Sequence, residues 1–97
     1  MWEFQVGEGM EKRFKAGYGA NGDWVRLFSQ DEAYIGTELI HDLKSRQTYM
    51  TLDFWTSQKA YDAFRKQHLA KYKALDRKCG EMTANEREIG RFVRVPE

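Results

Sequence analysis

Two alternating apolar stretches followed directly by a helical pattern constrain the fold of this chain more than any other feature. Apolar and β-branched residues alternate with other residues across 34–43 and again across 47–55, as in half-buried strands. A short polar stretch between them is typical of a hairpin connection. Ser57 is a good N-cap for the helix that follows. Two paired strands that lead into a helix predict that Trp55 and Tyr61 lie close together at one end of a sheet.

The alternation assigns two faces to each of these strands. In the first strand Ile35, Thr37, Leu39 and His41 are expected opposite Tyr34, Gly36, Glu38 and Ile40. In the second strand Tyr49, Thr51, Asp53 and Trp55 are expected opposite Thr48, Met50, Leu52 and Phe54. Both faces of the second strand carry large apolar groups. A sheet covered by helices on one side only would therefore expose an apolar face to solvent.

The other elements follow from the remaining hydrophobic patterns. We expect a first strand at 2–6, an amphipathic helix from Met10 to Tyr18, and a short second helix that carries Trp24, Leu27 and Phe28. One long helix should then run to Gly80, with an apolar face formed by Tyr61, Phe64, His68, Tyr72, Leu75 and Cys79. Residues 83–86 fit a polar loop or an extra helical turn, and residues 88–95 fit the last strand. This order, β-α-β-β-α-β, predicts a single α+β domain over residues 1–97, with a ferredoxin-like, four-stranded antiparallel sheet.

Composition excludes several classes of protein. The chain has 97 residues with 16 basic and 15 acidic side chains, so it lacks the basic excess typical of nucleic-acid binding. Its one cysteine, Cys79, predicts neither an intramolecular disulfide framework nor a metal cluster. There is no signal-peptide pattern and no apolar run near 18 residues, so we expect a cytoplasmic protein without a membrane partner.

Three stretches carry a resemblance to a known family: the strand at 34–39, the strand ending Leu52-Asp53-Phe54-Trp55, and the junction at 55–61 that leads into the helix. Through them, and through the order of elements along nearly the whole chain, the sequence resembles the antibiotic biosynthesis monooxygenase family. The resemblance implies a dimeric α/β barrel, a homodimer in which the two sheets pack face to face.

The resemblance also implies an activity and a site. Family members that oxidise polycyclic aromatic substrates use neither metal nor flavin, so this chain would be a cofactor-independent monooxygenase for a small aromatic or polyketide-like phenol. The residues that match the family's catalytic positions are Trp55, Tyr61 and His41. Thr51 stands where the family has an active-site asparagine, and Arg65 and Arg77 are the nearest candidates for its pocket arginine. The expected pocket lies between the sheet and the helices and is lined by Trp55, Tyr61, Phe64 and His68, with some of Phe28, Trp24 and Thr51.

Other interpretations of the same residues stay open. Trp55 and Tyr61 could simply pack in the core, and His41 could face solvent in the hairpin. The proton acceptor could be His41, His68 or Asp53, and Asp53 would qualify only if it faces inward. A haem-degrading relative would use His68 as the axial ligand together with Trp55. A dimer that only binds a small aromatic ligand, without catalysing a reaction, would have the same cavity.

Overall fold

A four-stranded antiparallel sheet organises the chain, and the computed structural model describes residues 1–96. Its strands are β1 (Trp2–Val6), β2 (Tyr34–His41), β3 (Thr48–Trp55) and β4 (Thr83–Glu88). The helices are α1 (Glu11–Tyr18), α2 (Asp23–Phe28), α3 (Gln58–Gln67) and α4 (Leu69–Gly80). The strand order is β2-β3-β1-β4 and every neighbouring pair is antiparallel. This is the ferredoxin-like order, and it confirms the predicted α+β fold class.

The helices cover one face of the sheet and enclose the core with it. The buried cluster that joins the two layers consists of Phe4, Val6, Phe14, Tyr18, Trp24, Leu27, Phe28, Tyr49, Phe64 and Cys79. Seven of these ten residues are phenylalanine, tyrosine or tryptophan, and neighbouring rings meet at centroid distances such as 4.4 Å for Phe14 and Tyr18. The first layer of contacts under the helices is therefore aromatic.

The predicted faces of β3 are confirmed. Tyr49 and Thr51 are 3% exposed beneath the helices, whereas Phe54 is 40% exposed on the other side of the sheet. The predicted faces of β2 are wrong at its start. The pairing with β3 shifts between Tyr34 and Gly36, so an extra residue enters β2 there and the alternation is broken. Tyr34 consequently packs on the helix side against Phe28, and Ile35 is 67% exposed.

The predicted last strand, 88–95, is also wrong. β4 spans Thr83–Glu88, where the sequence reads TANERE, and residues beyond Glu88 form no strand within the described part of the chain. This polar segment is held by antiparallel pairing with β1, with Phe4 opposite Glu86 and Trp2 opposite Glu88. Because β4 is an edge strand, backbone pairing stabilises it without an apolar face of its own. Val93 and Val95, expected on that strand, are 87% and 81% exposed.

The predicted long helix is divided into two. His68 has φ −113° and ψ 28°, and it separates α3 from α4. The backbone hydrogen bonds from His68 N to Phe64 O and from Tyr72 N to His68 O are both 2.9 Å, so the two helices remain continuous through the junction. The predicted N-cap is confirmed, since Ser57 Oγ accepts a hydrogen bond from Ala60 N at 3.1 Å, and the helical region ends at Gly80 as expected.

Close backbone approach explains one glycine between α1 and α2. A Cβ on Gly22 would overlap the carbonyl groups of Gly17 and Ala16, so only glycine fits where the chain turns from α1 into α2. That turn brings Trp24 and Phe28 over the sheet. No helix among residues 1–96 combines the length and the apolar character needed to cross a membrane.

Candidate functional site

A cavity of about 190 Å³ lies between the sheet and the helices. Its lining comes from all four strands, all four helices and the segment after β4: Trp2, Phe4, Tyr18, Trp24, Phe28, Thr37, Thr51, Asp53, Arg65, Tyr72, Asp76, Glu86, Glu88 and Arg91. Cavities of about 150 Å³ in other proteins hold benzene, and drug-sized ligands need about 300–1,000 Å³. The space in this chain therefore suits one substituted aromatic ring.

Aromatic side chains form much of this wall and hold one another in place. The centroid of the Trp24 ring lies 5.0 Å from that of Tyr72 and 5.6 Å from that of Phe28. On the sheet side, Trp2 stacks on Phe4 at 6.5 Å. Aromatic contacts of this kind restrict the orientation of each ring, and together the rings form an apolar wall suited to a planar ligand.

Asp53 places a carboxyl group in the cavity. It lies on the helix-facing side of β3, next to Thr51 in the alternation, and its Oδ1 accepts a hydrogen bond from the Thr37 hydroxyl at 2.6 Å. Burial raises the pKa of Asp53, and the Thr37 hydrogen bond and the positive charge of the Met1 amino group oppose that rise only in part. Asp53 forms no ion pair within residues 1–96. A carboxyl group in this state can accept a proton from a bound ligand.

Arg65 brings a guanidinium group to the same cavity from α3. It lies over the Tyr72 ring, 4.7 Å from the centroid, and forms no ion pair with any described carboxylate. The Tyr72 hydroxyl in turn lies 3.2 Å from the Tyr61 hydroxyl, and burial raises the pKa of Tyr72. An arginine whose donors are not used by a carboxylate can stabilise a negative oxygen on a ligand.

Carboxylates lie at another part of the wall. Burial raises the pKa of Glu86, and the nearby charge of Asp76 raises it further. Glu88 is ion-paired with Arg91 at 3.1 Å. In the part of the chain that the structure describes, no three His, Cys, Asp or Glu side chains are grouped so that they could hold a metal ion.

Three of the expected substrate-contacting residues do line the cavity: Thr51, Phe28 and Trp24. The other expected pocket residues form an aromatic cluster beside it. Trp55 lies 5.4 Å from Tyr61 and 5.1 Å from Phe64, which confirms the predicted proximity of Trp55 and Tyr61. Phe64 is fully buried and the His68 ring packs on it at 4.6 Å. None of these four side chains lines the cavity itself. They contact residues that do, as Trp55 contacts Phe28 at a centroid distance of 5.4 Å.

His41 lies apart from the other expected catalytic residues. It is exposed at the end of β2, its ring stacks on Tyr49 at 4.2 Å, and its Nε2 lies 2.8 Å from the carbonyl oxygen of Arg46. Haem is not a good fit to this arrangement, because His68 packs on Phe64 instead of lining the cavity and the space is small for a macrocycle.

Sequence reasoning missed several polar residues of the wall. Thr37, Glu86 and Glu88 are the main ones. The position of Thr37 could have been predicted, because it pairs with Asp53 across the hairpin and the two side chains therefore lie on the same face of the sheet. Glu86 and Glu88 gave no such signal, because their strand is polar and its position depends on pairing with β1.

A larger, open depression of about 870 Å³ lies beside α1, the turn into α2 and the end of α4. Its acidic residue Asp23 is already paired with Arg26 and, at 3.4 Å, with Lys78. The pKa of Asp23 is lowered by the hydrogen bond from Arg26. Because these charges are mutually satisfied, whereas Asp53 and Arg65 form no ion pair with a described residue, the cavity between the sheet and the helices is the stronger candidate site.

Comparisons with known proteins agree with the observed architecture. No family model and no curated protein sequence matches the chain. A crystal structure from Bordetella bronchiseptica, described as a "Putative antibiotic biosynthesis monooxygenase", superimposes with a TM-score of 0.67 at 21% sequence identity, covering 90% of each chain. Identity at this level shows a shared fold and no more. The chain therefore has the ferredoxin-like α+β fold that its resemblance to the antibiotic biosynthesis monooxygenase family predicts.

Proposed function

We propose that this protein is a cofactor-independent oxygenase that acts on a small, single-ring phenol bound between the sheet and the helices. The observation that carries the proposal is the cavity itself, which combines aromatic walls with the Asp53 carboxyl and the Arg65 guanidinium in a space of about 190 Å³. That volume narrows the expected substrate from polycyclic compounds to a single ring. The name given to the Bordetella protein is consistent with such an activity.

The proposed roles follow from the contacts. Asp53, in place of His41 or His68, takes the phenolic proton, because it lies in the cavity and burial raises its pKa. Arg65 and the Thr51 hydroxyl stabilise the negative oxygen that results. Trp55 and Tyr61 keep a positioning role, since Trp55 packs on Phe28 and the Tyr61 hydroxyl lies 3.2 Å from that of Tyr72.

The proposed reaction needs only the phenol and molecular oxygen. The deprotonated ring gives up electrons to O₂, and a dihydroxybenzene loses four electrons in total. One oxygen atom enters the ring to give a hydroxyquinone, and the other leaves as water. For C₆H₆O₂ and O₂ the products are C₆H₄O₃ and H₂O, so atoms and electrons balance without a further reductant.

The active form is proposed to be a homodimer. The face of the sheet that the helices leave uncovered carries Ile35, Ile40, Met50, Leu52 and Phe54, of which Ile35 is 67% and Ile40 42% exposed. Packing two copies of this face together would remove the apolar surface from water.

Oxygen uptake by purified protein tests the proposed activity. The substrates are 1,4-dihydroxybenzene as a single ring and a hydroxylated anthrone as a three-ring compound, with the protein-free rate subtracted. We expect uptake with the single ring only, and one labelled oxygen atom in the product when ¹⁸O₂ is supplied. Asp53→Asn should lower the rate by about a hundredfold, the lower end of the range for general acid–base groups.

Asp42→Asn is the matched control. Asp42 is exposed and its Oδ1 accepts a hydrogen bond from Lys44 N, well outside the cavity lining. If the wild-type protein takes up no oxygen with either substrate, the oxygenase proposal is wrong. Saturable quenching of tryptophan fluorescence by the single-ring compound, without turnover, would then favour the alternative of a binding protein.

A further inference from the structure

A chain of hydrogen bonds leads from the cavity into β2. Tyr34 Oη lies 2.5 Å from Thr37 Oγ1, and Thr37 Oγ1 lies 2.6 Å from Asp53 Oδ1. Both distances are those of good O–H···O hydrogen bonds. The irregular pairing between Tyr34 and Gly36 makes the chain possible, since it places Tyr34 on the same side of the sheet as Thr37.

The direction of these bonds is fixed by the number of protons available. Thr37 has one hydroxyl proton and donates it to the Asp53 carboxylate, so its oxygen accepts from the Tyr34 hydroxyl. Every donor therefore points toward Asp53 when that residue is ionised. When Asp53 is protonated, rotation of the same three groups lets the carboxyl donate to Thr37 and Thr37 donate to Tyr34.

The other charged groups around Asp53 do not offer an equivalent path. Arg65 of α3 and Arg91 after β4 stay protonated, and Glu88 is ion-paired with Arg91 at 3.1 Å. The Met1 amino group acts on Asp53 only through its charge, and it donates its hydrogen bond to Gly90 O at 3.0 Å. The half-buried Tyr34 hydroxyl is the outer end of the one hydrogen-bonded route that the described residues provide.

We propose that Thr37 and Tyr34 form a proton relay that carries the ligand's proton from Asp53 to solvent. The phenolic O–H bond breaks and an O–H bond forms on Asp53. The carboxyl then gives a proton to Thr37 as Thr37 gives its own to Tyr34, and Tyr34 releases one to water. One proton is moved in total, no electrons are transferred, and each residue returns to its starting state. Thr37 and Tyr34 are thus positioning and relay residues for Asp53, and this role rests on the proposed function of the cavity.

The relay can be tested without turnover by using 4-nitrophenol, whose coloured phenolate reports ionisation of the bound ligand. Relaxation of the absorbance after a temperature jump gives the rate of proton transfer. We expect Thr37→Val to slow this relaxation by about tenfold or more, and Tyr34→Phe to slow it as well. Thr37→Ser, which restores the hydroxyl, should relax like the wild type. Tyr49→Phe is the control, because Tyr49 lies outside the cavity lining.

A second measurement tests whether Thr37 donates its hydrogen bond to Asp53, which the relay requires. The Asp53 carboxyl can be titrated by ¹³C NMR in the free protein. Because Thr37 donates to the ionised carboxylate, Thr37→Val should raise the pKa of Asp53, and Thr37→Ser should return it to the wild-type value. Equal relaxation rates in the wild type, Thr37→Val and Tyr34→Phe would overturn the relay, as would an unchanged Asp53 titration.

The outcomes also distinguish the two proposals. Absence of oxygen uptake, together with slowed relaxation in Thr37→Val, would reject the oxygenase and support the relay. Failure of 4-nitrophenol to bind would reject the cavity as a phenol site and the relay with it.

Discussion

Asp53 acquires its properties from its position on β3. The same carboxyl group on the opposite face of the strand would lie beside Phe54, outside the cavity. On the helix side it lies in the cavity, where burial disfavours its charged form and the Thr37 hydroxyl compensates for part of the lost hydration. Burial in the cavity therefore both raises the pKa of Asp53 and makes its ionised form unfavourable for folding.

The stability of Asp53→Asn should depend on pH. Because the pKa of Asp53 is raised in the folded state, the ionised carboxylate disfavours folding above that pKa, whereas below the pKa of the unfolded chain both states are protonated and there is no penalty. We expect Asp53→Asn to be more stable than the wild type at pH 7 and nearly equal to it at pH 3, by urea unfolding. Each unit of pKa shift corresponds to about 1.4 kcal/mol. Greater stability of the wild type at pH 7 would contradict this assignment, and Asp42→Asn should show no such pH-dependent gain.

Truncation of Phe64 measures how much the packing of the aromatic core contributes to stability. It is fully buried, and its ring contacts Phe28 at 5.6 Å and Trp55 at 5.1 Å. Phe64→Ala should lower the free energy of unfolding by about 3–5 kcal/mol, because it removes a large ring and leaves a void. Phe92→Ala, at a position 71% exposed, should change it by less than about 0.5 kcal/mol. Similar losses for the two variants would mean that Phe64 is not in the core.

At the scale of elements, the start of α3 depends on one side chain. Ser57 Oγ accepts from Ala60 N at 3.1 Å and satisfies a backbone donor that the helix leaves free. Ser57→Ala should therefore cost about 1 kcal/mol of stability by chemical unfolding. Thr56→Ala, at an exposed neighbouring position outside the helix, should cost much less. Equal effects would show that the cap contributes nothing.

The short polar segment β4 forms a strand because it pairs with β1, although its amino-acid composition does not favour a strand. Its residues Glu86 and Glu88 face Phe4 and Trp2 across β1 and so enter the wall of the cavity. The more apolar segment that follows, with Phe92, Val93 and Val95 all more than 70% exposed, lies outside the sheet. The chain thus places two carboxylates in the wall of the cavity through backbone hydrogen bonds between β4 and β1.

At the scale of the whole molecule, the uncovered face of the sheet predicts self-association. Light scattering at micromolar concentration should give twice the 11.5 kDa mass of the chain. Phe54→Lys places a charge on that face and should shift the protein toward monomer, since an unpaired charge would be buried in the interface. Leu69→Lys is a matched control. Leu69 is 43% exposed, which is close to the 40% of Phe54, but it lies on α4 and not on the uncovered face of the sheet. A monomeric wild type would overturn the dimer.

The sequence by itself determined the order of the elements and most of their faces. Alternation at 47–55 and 2–6 and the cap at Ser57 specify the hairpin, the start of α3 and the ferredoxin-like order, because these patterns arise from local geometry. The alternation also placed Asp53 on the face of Thr51 and Trp55. Among the site residues, Trp24 and Phe28 could be assigned to the cavity wall from the apolar face of a short helix, and Thr51 from the resemblance to the family.

The tertiary structure alone decided which of these side chains meet. The shift at Tyr34, the break at His68 and the position of β4 depend on pairing with distant strands and on packing against other helices, which leave no local pattern in the sequence. The same contacts keep Trp55 and Tyr61 beside the cavity and leave His41 exposed at the far end of β2. They also bring Tyr34, Thr37 and Asp53 within hydrogen-bonding distance, because residues 16 positions apart become neighbours only when β2 pairs with β3.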